Sequence, residues 1–317
     1  MKKRFFAIAA MLFALAALCA CDDKKEPAPE ASAEAADLLV GVMPSMDYLP
    51  LAVAEREGYF EQVGLKIRLH KFYSANERDA AFQSGNIHGT VIDYTGALLQ
   101  KAGGVELKLT SRCDAPFYIV GAKSSPVIDV ADLKGAKVAV SRNTVIDYCV
   151  DMALQSAGLT PEDVEKVEIN KIPVRYEMLR SGQVDATGLP YPLALLAAVS
   201  GDRIVTSNQQ LGFGITGIMF SGRATLEKGE EIRKMYRAYN MGVEYIAGHG
   251  AEGLAELLKN EMGFNDETLK LTILSSYRKA ELPDERDLEQ VAAWLAGRKL
   301  IEPDFPVTEL LDGQFLE

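Results

Sequence analysis

The first stretch of the chain switches between two hydrophobic periods. Leu38-Leu39-Val40-Gly41-Val42 is a short apolar run, as expected of a buried parallel strand. A polar loop from Met43 to Tyr48 follows, then a helix with Pro50 in its first turn, where the missing N–H costs nothing. Gly58 and Gly64 punctuate its far end, after which Leu65, Ile67 and Leu69 alternate with Lys66, Arg68 and His70, the period of a half-buried strand. Strand, helix, strand predicts an open α/β sheet, in which ligands bind at the carboxyl ends of the strands.

The same alternation continues. Ser74-Ala75-Asn76-Glu77 has the capping-box pattern and opens a helix that should stop at Gly85. Thr90-Val91-Ile92 reads as a buried strand, residues 97–102 as a helix and 107–110 as a strand. A second block repeats the plan with strands near 137–140, 167–169 and 186–189 and helices over 145–157 and 174–180. Gln83-Ser84-Gly85-Asn86-Ile87-His88-Gly89-Thr90 and Arg180-Ser181-Gly182-Gln183-Val184-Asp185-Ala186-Thr187 fall at equivalent places in the two blocks, which predicts two similar lobes. Beyond Glu227, Ile232, Met235, Tyr236, Tyr239, Val243 and Ile246 share one helical face, read here as core; Trp294 is expected to pack on the first lobe.

The two ends of the chain and its charge narrow the class. Lys2, Lys3 and Arg4 precede an apolar run from Phe5 to Leu18, too short to span a bilayer comfortably, so residues 1–20 read as a signal peptide. The run closes on Leu18-Cys19-Ala20-Cys21, which resembles a bacterial lipoprotein signal and makes Cys21 the expected lipidation site. Residues 21–37, charged and rich in Pro, Ala and Glu, read as a flexible tether. Cys113 and Cys149 remain in the body and are expected to be buried thiols. The 317 residues carry a net charge of −11 without a basic cluster, which argues against a nucleic-acid partner. His70, His88 and His249 are scattered, with no metal-ligand spacing, no GxSxG and no P-loop, so no metal, cofactor or catalytic residue is expected.

Four segments in order carry a family resemblance: residues 51–60 (LAVAEREGYF) with Gly64-Leu65, then Gln83-Ser84-Gly85, then residues 132–140 (DLKGAKVAV), then residues 179–186 (LRSGQVDA). The chain resembles the periplasmic solute-binding proteins of ATP-binding-cassette importers, in the nitrate, sulfonate, taurine and thiamine-pyrimidine branch. The resemblance implies an α/β type II binding-protein fold, two lobes joined by a two-strand hinge, with lobe one at 38–115 and 223–317 and lobe two at 116–222. It implies a monomer that is not an enzyme, a small-molecule ligand held between the lobes, and a membrane permease as partner. The location would be the periplasm or the outer face of the cytoplasmic membrane. A receptor feeding a membrane sensor shares this fold, and so do bilobal biosynthetic enzymes.

On that fold the strand-end loops supply the candidate ligand groups: Ser45, Asp47 and Tyr48; Asp93, Tyr94 and Thr95; Arg112 and Asp114; Ser141, Arg142, Asn143 and Thr144, with Asp147 one turn on; and Tyr191. Ser141 and Thr144 suit either an anion at a helix N-terminus or simple capping. The four aspartates outnumber the arginines in these loops, and with the tyrosines they suit a nitrogen heterocycle such as a thiamine-type pyrimidine. The alternative is a sulfonate, nitrate or other small anion, with each aspartate capping a helix or pairing with Arg112, Arg142 or Arg175.

Overall fold

The computed structural model describes residues 38–316. Cys21, the signal segment and the tether lie outside these residues. Ten strands form two mixed sheets. The first contains β1 (Leu38–Val42), β2 (Ile67–Lys71), β3 (Gly89–Asp93), β4 (Leu107–Arg112) and β10 (Thr216–Ser221), in the order β2-β1-β3-β10-β4. The second contains β5 (Phe117–Gly121), β6 (Lys137–Val140), β7 (Glu165–Glu168), β8 (Ala186–Pro190) and β9 (Arg203–Ser207), in the order β7-β6-β8-β5-β9.

The two sheets follow one design. In each, four strands run the same way, three of them adjacent and joined by helices, and one antiparallel strand sits second from the edge: β10 between β3 and β4, β5 between β8 and β9. The chain crosses from the first sheet to the second through residues 113–116 and returns through 208–215, where Asn208–Leu211 form a single helical turn. The Cys113 amide donates to the Thr216 carbonyl, 2.9 Å, and so ties the two crossings together.

Local chemistry explains most element ends. Ser74 caps the helix Ala75–Gln83 through the Glu77 amide, and Gly85 leaves it at φ +74°. Gly182, at φ +68°, ends the matching helix Ile172–Arg180 in the same way. Each of these glycines adopts the left-handed conformation that a side chain resists. Thr90 and Thr187, one residue on from each Gly89/Ala186 strand start, both turn their hydroxyls onto a carbonyl of the neighbouring strand, Gly41 at 2.9 Å and Ala139 at 2.8 Å. The repeat seen in the sequence is therefore a repeat of structure.

Three expectations need correction, and two strands lie outside them. The strand β10 lies in the first sheet, so residues 216–222 go with lobe one and not with lobe two; its backbone groups find partners only between β3 and β4. The helix expected at 97–102 begins at Tyr94, because the Asp93 carboxylate accepts from the Gly96 amide at 2.8 Å and caps it three residues earlier. Strands β5 and β9 carry no mark in the loop-and-helix alternation and were not anticipated. Trp294 meets the second lobe: its indole N–H donates to Asp151 at 2.9 Å and its ring stands edge-on to Tyr148. The stripe from Ile232 to Ile246 is core as read, every member buried, on the helix Gly229–Gly253. Cys113 and Cys149 are free, buried thiols. No helix of the described residues is long and apolar enough to cross a membrane.

Candidate ligand-binding site

The carboxyl ends of strands from both sheets converge on a cavity of about 520 Å³, counting the part open to solvent. The first sheet contributes Ser45, Asp47, Arg78, Asp93 and Thr216; the second contributes Ser141, Thr144, Asn170 and Arg175. Met43, Phe117, Ile146, Ile172 and Pro190 are among the apolar side chains of the wall. The walls also touch beside the cavity. The Met46 amide donates to the Tyr191 carbonyl at 3.1 Å and the Ile172 amide to the Tyr73 carbonyl at 3.4 Å, so the two sheets stand closed on each other.

Five of the expected ligand residues line this cavity: Ser45, Asp47, Asp93, Ser141 and Thr144. Ser141 donates to Asn170 Oδ1 at 2.9 Å, and Thr144 caps the helix Val145–Ser156 while donating to the Ser141 carbonyl at 2.8 Å. The other nine do not line it. Tyr48 is buried toward Glu261, whose carbonyl accepts from its hydroxyl at 3.3 Å. Tyr94 and Thr95 are in the first turn of their helix, Thr95 bonded to Asp93. Arg112 and Asp114 pair with each other at 3.2 Å and flank a separate surface cleft with Arg278. Arg142 pairs with Glu168 at the surface, and Asn143, at φ +59°, makes the turn before the helix. Asp147 is fully buried but pairs with Lys166 at 2.6 Å and Arg298 at 2.9 Å. Tyr191 packs among Tyr118 and Phe264.

The aspartates that favoured a nitrogen heterocycle are thus largely engaged. Asp93 accepts from both Arg78 Nη atoms, at 3.3 and 3.2 Å, besides capping its helix. Asp47 accepts from the Ala115 amide and from the Thr216 and Ser45 hydroxyls, each at 3.1 Å. Burial pushes the Asp47 carboxyl up to about 7, and these donors offset only part of that.

The arginines were missed. Arg78 and Arg175 are each 2% exposed, on the matching helices Ala75–Gln83 and Ile172–Arg180, at the same distance ahead of Ser84-Gly85 and Ser181-Gly182. Continuing that alignment matches Asp79 with Tyr176 and Asp93 with Pro190. Arg78 therefore has two carboxylates, Asp79 at 2.8 Å and Asp93 at 3.2 Å, and its twin has lost both. Arg175 donates from Nη1 to the Ile169 and Asn170 carbonyls, 3.0 and 3.4 Å, while its Nε is buried without a partner. It has no acidic partner among the described residues. Desolvation alone lowers it to about 10. The signal that would have found it is the internal repeat, carried a few residues further in each direction.

Comparison with known proteins places the chain. The model of the NMT1/THI5-like family matches residues 45–252, more than half of the sequence. The chain belongs to the NMT1/THI5-like family. Among relatives of this family member, an ABC transporter periplasmic binding protein of Brachyspira hyodysenteriae is 26% identical over 208 residues, covering 60% of this chain and 58% of that protein. A thiamine biosynthesis protein of Haemophilus influenzae is 31% identical over 152 residues, 44% of this chain and 45% of that one. The chain thus spans about half the length of these relatives. The alkanesulfonate-binding protein SsuA of Xanthomonas axonopodis pv. citri, bound to MOPS, shares the fold with a TM-score of 0.74 at 20% identity, over 89% of this chain and 99% of that one. The fold of the family member is accordingly the periplasmic binding-protein fold.

Proposed function

We propose that the chain is a solute-binding protein that closes its two lobes on a small molecule with an anionic group, and that it delivers this solute to an ATP-binding-cassette importer. The observation that carries the ligand class is Arg175: a buried guanidinium in the cavity wall, with an unpartnered Nε and no carboxylate. An isolated buried cation is unfavourable, and an oxyanion that accepts from the guanidinium removes that cost in the closed state. Ser141, Thr144 and Asn170 stand beside it as hydroxyl and amide groups for the remaining oxygens. The apolar wall of Phe117, Ile146 and Ile172 suits a carbon body behind the charged end. Hinge closure then follows from the contacts that the ligand gains only when both lobes reach it. Attachment through a lipid on Cys21 would keep the carrier near its permease.

This reading takes the anion in preference to the nitrogen heterocycle. A pyrimidine without an acidic group would leave Arg175 unpaired and would find Asp93 already held by Arg78. The name of the Haemophilus influenzae relative keeps a thiamine-related compound in view, provided that it carries an acidic group.

The test has two parts. Mass spectrometry of the small molecule released on denaturing freshly purified protein should identify a stoichiometric organic anion. Arg175→Gln should then lower affinity for it at least about thirtyfold, the lower end of what truncating a buried charge pair costs. Release of a neutral or cationic compound, or an unchanged affinity in Arg175→Gln, would overturn the assignment.

A further inference from the structure

Asp47 faces the same cavity as Arg175 and is built differently from every other buried aspartate near it. Asp93 has Arg78, Asp114 has Arg112 and Arg278, and Asp147 and Asp151 share Lys166 and Arg298. Asp47, 2% exposed, has no ion-pair partner among the described residues. All three of its partners are neutral, and they come from separate parts of the fold. Ala115 lies in the first crossing between the lobes, Thr216 begins β10 just after the second, and Ser45 lies in the loop after β1. The groups facing it are Cys113 and Asp114 from the first crossing, Tyr94 from its helix and Tyr277 from the segment that follows the helix Asp266–Leu271. Arg78, Asp93 and Arg175 share its cavity.

We propose that Asp47 takes up a proton from solvent when the anion enters the cavity, so that capture of the solute is linked to pH. The inference rests on the anion reading of Arg175. In the free protein Arg175 shares the cavity wall with Asp47 and is, among the described residues, the cation of that wall not matched by a carboxylate. A bound anion adds a like charge to the cavity that Asp47 lines and displaces water from it. Both changes favour the neutral acid. The site accommodates it without moving heavy atoms. Oδ1 keeps the Ala115 and Thr216 donors, and a proton on Oδ2 is donated to Ser45 Oγ, reversing the direction of that one bond. Since burial already holds the free carboxyl at about 7, the exchange falls near neutral pH.

Asp47→Asn mimics the protonated acid, with its carbonyl in the place of Oδ1 and its amide donating to Ser45. Titration calorimetry with methanesulfonate, in bis-Tris and in imidazole at each pH, reads the proton directly, because the two buffers differ in ionisation heat and neither is an anion. The wild type should take up a fraction of a proton at pH 7 that grows toward one at pH 8. Its affinity should fall about tenfold per pH unit above 7 until the bound-state value is reached. Asp47→Asn should exchange no proton and show a flat affinity over the same range. Binding by the wild type with the same observed heat in both buffers, and no pH dependence, would overturn the linkage and leave the anion reading standing. Failure of the wild type to bind methanesulfonate, or equal binding by Arg175→Gln, would overturn the anion reading and the linkage with it.

Discussion

At the scale of single residues, Arg175 and Asp47 are each expected to lower the stability of the free protein near neutral pH, and each effect has a sign that can be measured. Burying an unpaired guanidinium is unfavourable, so Arg175→Met should raise the ligand-free melting temperature while it removes binding; a matching loss of stability would show that the guanidinium holds the fold. For Asp47, the folded protein holds the proton more tightly than the unfolded chain does between the ordinary carboxyl value of 3.8 and about 7. The native state therefore binds more protons over that window, and this group's contribution makes stability fall as pH rises through it and level off above 7. Asp47→Asn removes that slope, and other carboxylates cancel in the comparison. Urea melts at pH 5 and pH 8 should show the variant gaining on the wild type at the higher pH; parallel curves would refute it. Neither residue's role could be read from local sequence. Charge in the strand-end loops is plain in the sequence, but Arg78 and Arg175 lie inside helices, and whether an aspartate is free depends on partners such as Arg78 and Ala115 that local pattern does not place.

At the scale of elements, the helices and parallel strands were legible because their signals are local. Pro50, Ser74, Gly85 and Gly182 each mark an end within a few residues of the group that they satisfy. β10 was not legible because nothing nearby specifies it: its partners Asp93 and Leu107 lie more than a hundred residues away. The long helix Gly229–Gly253 shows the same division. Its apolar stripe is plain in the sequence, but its reason for Gly242 is tertiary. A Cβ there would lie 2.3 Å from the Pro50 carbonyl oxygen, on the helix Leu49–Arg56. Backbone cannot yield as a side chain can, so Gly242→Ala should cost about 1–3 kcal/mol. Gly248, on the exposed side of the same helix, has nothing within 4 Å of the position a Cβ would take. Gly248→Ala should instead gain about 0.5–1 kcal/mol from helix propensity. Denaturant midpoints that move the same way in both variants would contradict this account of the packing.

At the scale of the molecule, the two sheets are joined by three kinds of contact with different consequences. An apolar cluster runs without interruption from Ile92 and Leu109 of the first sheet to Ile119 and Val138 of the second, which makes the body near the crossings one core. Beside the cavity, the contacts are few and polar, and the Lys171–Glu77 pair there, at 3.5 Å, is exposed and of little worth. A third connection lies on the far side of the helix Val145–Ser156, whose first turn walls the cavity. Asp147 and Asp151, both buried, share Lys166 from β7 and Arg298 from the end of the helix Glu285–Gly297. Trp294 completes the cluster, donating to Asp151 and lying under the Arg298 guanidinium at 4.1 Å. Helix Glu285–Gly297 packs also on the first lobe's helix Tyr94–Ala102, so the cluster fastens the second lobe to the first. Removing Arg298 leaves two buried carboxylates with one lysine between them, the case in which breaking an ion pair is expensive. Arg298→Ala should cost about 2–4 kcal/mol in urea unfolding, and Arg298→Lys should recover part of it. The loss should persist in high salt, since Asp147 and Asp151 are shielded from solvent ions. A loss under about 0.5 kcal/mol would mean that the apolar core alone holds the lobes together.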